Sequence, residues 1–127
     1  MKNRLIYSLF FLGSLFFIGI SCKNNATGGT KSIKNASYKI YNIDGEKGYN
    51  VTFDVSGNGE EPIAVVINRI RKEINPSDKR NNTYHVNVIA ETRKIHGYRP
   101  QGTPQENGVI YKVNYTESFK PVTFTLK

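Results

Sequence analysis

The sequence predicts an all-β domain, a small immunoglobulin-like antiparallel β-sandwich of about six or seven strands over residues 36–127. Two observations carry that prediction. Apolar and polar residues alternate with period two in several separate segments, as in strands with one wet face. Clusters of Gly, Pro, Asn and Asp separate those segments at Asp44-Gly45, Ser56–Gly59, Asn75–Asp78 and Pro100–Gly108.

Taken in order, Ser37–Ile43 is the weakest strand segment. Tyr49–Ser56 alternates cleanly, with Val51, Phe53 and Val55 on one side. The stretch 61–74 admits two readings. Ile63, Val66, Ile67, Ile70 and Ile74 recur at helical spacing, with acids and Pro62 in front and Arg69, Arg71 and Lys72 near the end. Against a helix stands the β-branched run Val65-Val66-Ile67, leading through a turn into the next strand. Strand is preferred; the alternative is an α+β fold with one helix near 61–74. Tyr84–Thr92 aligns Tyr84, Val86, Val88 and Ala90, leaving His85 on the outer face. Val109–Thr116 aligns Val109, Tyr111, Val113 and Tyr115, which assigns both tyrosines to the core. Pro121–Lys127 is expected as a last strand with Pro121 at its start, where a missing N–H costs least, and Val122, Phe124 and Leu126 inward. Tyr98, Arg99 and the Pro100–Gly108 loop are expected to connect strands rather than bind a ligand.

The N-terminus reads differently. Lys2 and Arg4 precede an apolar run from Leu5 to Ile20, which ends in Ser21-Cys22. Basic, apolar, small is the order of a secretory signal peptide, and the run is shorter than the roughly 17–25 residues of a membrane span. Cys22 is the only cysteine in the chain. The segment resembles the lipobox of a bacterial lipoprotein, with Gly19 standing where Leu is usual. The resemblance implies that residues 1–21 are a cleaved signal peptide. It further implies that Cys22 takes diacylglycerol on its sulfur and becomes the mature N-terminus. Residues 22–35 then form the lipidated N-terminus and a polar tether. A thioether-linked lipid removes the one thiol that an oxidising compartment would make a liability. Two or more acyl chains hold a protein to a bilayer far better than one. Lys23 follows the cysteine, which favours the outer membrane, with the periplasmic or surface face left open.

The chain carries a formal charge of +8, and +6 without Lys2 and Arg4. The densest basic stretch holds Arg69, Arg71, Lys72, Lys79 and Arg80 against Glu73 and Asp78. A β-hairpin would gather these five at one end of the domain, as a candidate site for an anionic envelope polymer or an acidic envelope protein. The plainer account is a solvated surface that keeps the domain soluble. Nucleic acid is a poor fit to an exported chain without a ribonucleoprotein motif or a Cys/His finger.

Catalytic signatures are sparse. His85 and His96 form no paired-ligand motif, no serine sits in Gly-x-Ser-x-Gly, and no Gly-rich loop opens onto a helix. Asp54 and Glu91 would serve a hydrolase only if folding brought them together. The five Asn-x-Ser/Thr matches, at Asn25, Asn35, Asn50, Asn81 and Asn114, are expected by chance in an Asn-rich chain. The expectation is therefore a lipid-anchored envelope lipoprotein with a non-catalytic binding or accessory domain, without cofactor or metal. The alternatives are a small envelope-glycan hydrolase and a structural packing subunit of an outer-membrane complex.

Overall fold

Alternation alone explains why Glu46–Ser56 is a strand at the centre of a sheet. Val51, Phe53 and Val55 are buried on one face while Asn50, Thr52 and Asp54 face outward. The computed structural model describes residues 29–127. In chain order its strands are β1 (Ser32–Ile43), β2 (Glu46–Ser56), β3 (Pro62–Ile67), β4 (Ile70–Glu73), β5 (Lys79–Arg80), β6 (Thr83–Thr92), β7 (Gln101–Gly102), β8 (Gly108–Val113), β9 (Thr116–Pro121) and β10 (Thr125–Leu126). A single 3-10 turn, Pro76–Asp78, precedes β5. Three of the ten strands are two-residue pieces, which leaves seven of four residues or more.

The strands form two five-stranded sheets, β10-β1-β2-β6-β5 and β7-β4-β3-β8-β9. All pairings are antiparallel except β1 with β10. Between the sheets lie Val51, Phe53, Val55, Val65, Ile67, Tyr84, Val86, Val88, Val109, Tyr111 and Phe124. Phe53 stacks on Tyr84 with ring centroids 5.0 Å apart. The all-β sandwich is as the sequence predicts, and residues 61–74 are the β3–β4 hairpin and the start of the following turn, not a helix.

The register defines two ends. At one end, the base, Glu60 bridges Thr30, Asp54 pairs with Thr83, and the β8–β9 hairpin turns at Asn114-Tyr115. At the far end are the β1–β2 turn at Asp44-Gly45, the β3–β4 turn at Asn68-Arg69 and the connection Arg93–Asn107. These three hairpins have two-residue loops with both central residues at positive φ, the type I′ pattern that matches the twist of the strands.

Four expectations are corrected. β1 begins at Ser32, and the Gly29 carbonyl already accepts from Glu60 N at 2.8 Å, so the folded body starts well before residue 36. The polar composition of 29–35 suits a wet edge strand with a bulge between Lys34 and Ser37 as well as it suits a tether. Tyr115 is 95% exposed, because the chain reverses at 114–115 and ends the alternation that placed it inside. Pro121 closes β9 rather than opening a strand, and Leu126 is exposed on the two-residue β10. The signal peptide 1–21 and Cys22 lie outside the described residues.

Candidate functional site

A cluster of interacting charges is built at the base around Glu61, which stands just before β3. Glu61 forms an ion pair with Lys31, another with Lys79 at 3.0 Å, and accepts a hydrogen bond from the Tyr84 hydroxyl at 2.5 Å. Tyr111 reaches the same corner from β8 and donates to the Lys31 carbonyl at 2.7 Å. Lys31 stands just before β1, Lys79 on β5, Tyr84 on β6 and Tyr111 on β8, whose ends meet at the base. Burial opposes ionisation of Glu61, but the hydrogen bonds from Lys31, Tyr84 and Lys79 outweigh it and lower its pKa to about 2. Tyr84 is pushed well up, by burial and then by the adjacent carboxylate. An open cleft of about 490 Å³ adjoins the cluster, lined by Pro62, Ile63, Ile74, Pro76, Lys79 and Tyr84 among others. A carboxylate so firmly ionised, between two ammonium groups, neither gives nor takes a proton near neutrality. Its chemistry is that of a charge node tying the first strand to the sheets.

The five basic candidates do not gather. Arg69 sits at the far-end turn, paired with Glu106 at 3.2 Å, whereas Lys79 and Arg80 form β5 at the base. The hairpin forms, but it does not gather them, because β4 and the Pro76–Asp78 turn carry the chain from the far end to the base between Arg69 and Lys79. Lys79 is committed to Glu61, and Lys72 Nζ donates to the Glu73 carbonyl at 3.2 Å. Arg80 is exposed.

Arg71 has a different task. Its Nε donates to Glu73 at 2.6 Å and its two terminal nitrogens to both Glu117 oxygens at 2.8 and 3.1 Å. Glu117 is on β9, and β3 and β8 lie between β9 and β4 in the sheet. The second sheet must therefore curl until β4 and β9 approach over its own outer face. Ala64, Val66 and Ile110 on that face are buried, packed with Ile63 and Phe119. The bidentate pair clasps this second small core. Hydrogen bonds to Glu117 and Glu73 push the Arg71 guanidinium further above its ordinary range, and Arg71 holds the Glu117 carboxyl below its own.

The other sequence candidates stay apart. Asp54 accepts from Asn35 at 2.8 Å and Thr83 at 2.6 Å at the base, while Glu91 pairs in register with Lys47 toward the far end. His85 is exposed, as expected from its position opposite Val86, with Nδ1 3.4 Å from Thr52 Oγ1. Among the described residues no group of three or more His, Cys, Asp and Glu side chains could hold a metal ion. The 98–107 connection contributes β7 and grips the Asn68-Arg69 turn through Thr103, Glu106 and Asn107. Glu61 escaped sequence reasoning because its partners are 30, 18 and 23 positions away, and Lys31 read as tether.

The chain matches no protein-family model, no curated protein and no solved structure. Among the described residues no helix is long and apolar enough to cross a membrane. The fold is an all-β sandwich, an architecture that does not by itself assign a function.

Proposed function

We propose that this chain is a lipid-anchored lipoprotein of the bacterial cell envelope, acylated at Cys22. Its β-sandwich serves as a non-catalytic binding or accessory module. The observation that carries the reading is the order of the first 22 residues: Lys2 and Arg4, sixteen residues of apolar run, then Ser21 and the chain's one cysteine. The partner is an anionic envelope polymer or another envelope protein, and the membrane is the outer one. Non-catalytic work fits a body whose best-built polar cluster is an ion-paired carboxylate at pKa about 2 and whose Asp54 and Glu91 stand on opposite halves of a sheet. A retaining or inverting hydrolase needs two carboxyl groups within about 5–10 Å across a cleft. The test is mass spectrometry of the N-terminal peptide from membranes of cells expressing the full chain. Acylated Cys22 at the new N-terminus is expected, and an unmodified thiol, or product in the cytosolic fraction, refutes the reading.

A further inference from the structure

Gly29, whose carbonyl is bonded to Glu60 at the base, lies seven positions after Cys22, and that separation limits how far the base can stand from an anchor on Cys22. Seven Cα steps span at most about 25 Å when fully extended. β1 alone, twelve residues long, extends about 40 Å. With Cys22 in a bilayer, the base is leashed to the surface.

Beside the leash stands the least explained side chain of the fold. Glu60, whose N–H donates to the Gly29 carbonyl, lines one surface depression together with Ile63, Lys112, Asn114 and Tyr115. Tyr115 occupies the second position of the type I′ turn at φ 66°, where Gly is the favoured residue. An L-residue there costs about 1–2 kcal/mol. Arg69 stands in the same position of the β3–β4 turn, but the fold recovers that cost. Its N–H donates to the Glu106 carbonyl at 3.1 Å, its own carbonyl accepts from Thr103 at 3.0 Å, and its guanidinium pairs with Glu106. The Tyr115 side chain, 95% exposed, gives the fold no such return. An aromatic ring with a polar tip, held out on a strained turn, is suited to the headgroup layer of a bilayer, where tyrosine is enriched.

We propose that the base of the sandwich lies against the lipid bilayer, with the Tyr115 ring seated among the headgroups beside the anchor. The proposal rests on acylation of Cys22 and goes beyond it, since an anchor alone does not choose an orientation. The chain contains no tryptophan, so Tyr115→Trp and Ile43→Trp each create a single reporter, one at the base and one at an exposed far-end position. Full-length protein, with acylation checked by mass spectrometry, is reconstituted into phosphatidylethanolamine/phosphatidylglycerol vesicles with and without brominated acyl chains. The expected result is a blue-shifted reporter at 115 that loses most of its emission to the brominated lipid, beside a reporter at 43 that loses almost none. Equal quenching at both positions, or none at 115, in acylated vesicle-bound protein overturns the orientation and leaves the anchor standing. An unmodified Cys22 overturns both.

Discussion

Replacing Glu61 by Gln tests whether the base is held by charge. Gln keeps the shape and an oxygen that can accept from the Tyr84 hydroxyl, while Lys31 and Lys79 lose their counter-ion. In the folded protein the Glu61 pKa falls from 4.5 to about 2, which corresponds to a ceiling of about 3 kcal/mol. The side chain is 36% exposed, so solvent screening reduces the expected contribution to about 1–2 kcal/mol. The sign follows from the depressed pKa. The stabilisation is complete above pH 4.5 and is lost as pH falls toward 2, because the unfolded chain takes up the proton first. By pH 2.5 about a quarter of it remains. Urea unfolding followed by circular dichroism at pH 7 and pH 2.5 measures both quantities. At pH 7 the variant should be less stable by about 1–2 kcal/mol, a shift of about 5–10 °C in Tm for a domain of this size. At pH 2.5 the two proteins should nearly coincide. An equal deficit at both pH values would show that packing, not charge, sets the effect, and would refute the reasoning.

Three further outcomes follow from the geometry. Tyr115→Gly, which makes the turn Asn-Gly, should stabilise the isolated domain by about 0.5–1 kcal/mol in the same assay, since relief of the left-handed backbone exceeds the entropy glycine adds to the unfolded chain. Gly48→Ala should destabilise by about 1–3 kcal/mol, because a Cβ there meets the Val88 carbonyl and the Tyr41 ring where β2 bulges against β6. Arg71→Ala should cost about 1–2 kcal/mol, since Glu117 and Glu73 lose their cation but are half exposed, and should raise binding of a hydrophobic dye if the side chain shields Ala64, Val66 and Ile110.

Strands were legible wherever one face is dry and the other wet. β2 from Tyr49 onward and β6 from Tyr84 to Val88, each flanked by neighbours, carry their inward residues at period two. β1 read weakly because as an edge-side strand it exposes Ile40 and Ile43 and carries a bulge, so its apolar residues follow no single face. The 61–74 ambiguity has a structural origin. β3 is buried on both sides, between the main core and the clasped outer face, so Ala64, Val65, Val66 and Ile67 are all apolar and periodicity says nothing. The Asn114-Tyr115 turn was missed because it lacks the glycine that marks such turns. Neither the Glu61 cluster nor the Arg71 clasp left any local trace, being made by residues brought together from distant strands.

The dispersal of the basic residues separates scaffold cations from those free to meet a partner. Arg71, Lys79 and Lys31 are spent on carboxylates within the fold. Arg93 and Arg99 are exposed on the far-end connection and make no ion pair among the described residues, and Arg93 lies over the Asp44-Gly45 turn. With the base turned to the bilayer, that far end is what an approaching molecule meets. The double reversal Arg93→Glu, Arg99→Glu should therefore leave unfolding stability within about 0.5 kcal/mol per site, in contrast to Arg71→Ala. Any affinity of the intact lipoprotein for an anionic polymer such as lipopolysaccharide should drop steeply with it and carry a strong salt dependence. An affinity that survives this reversal but is lost with Arg80→Glu would place recognition at the base instead, and would be incompatible with a base occupied by membrane.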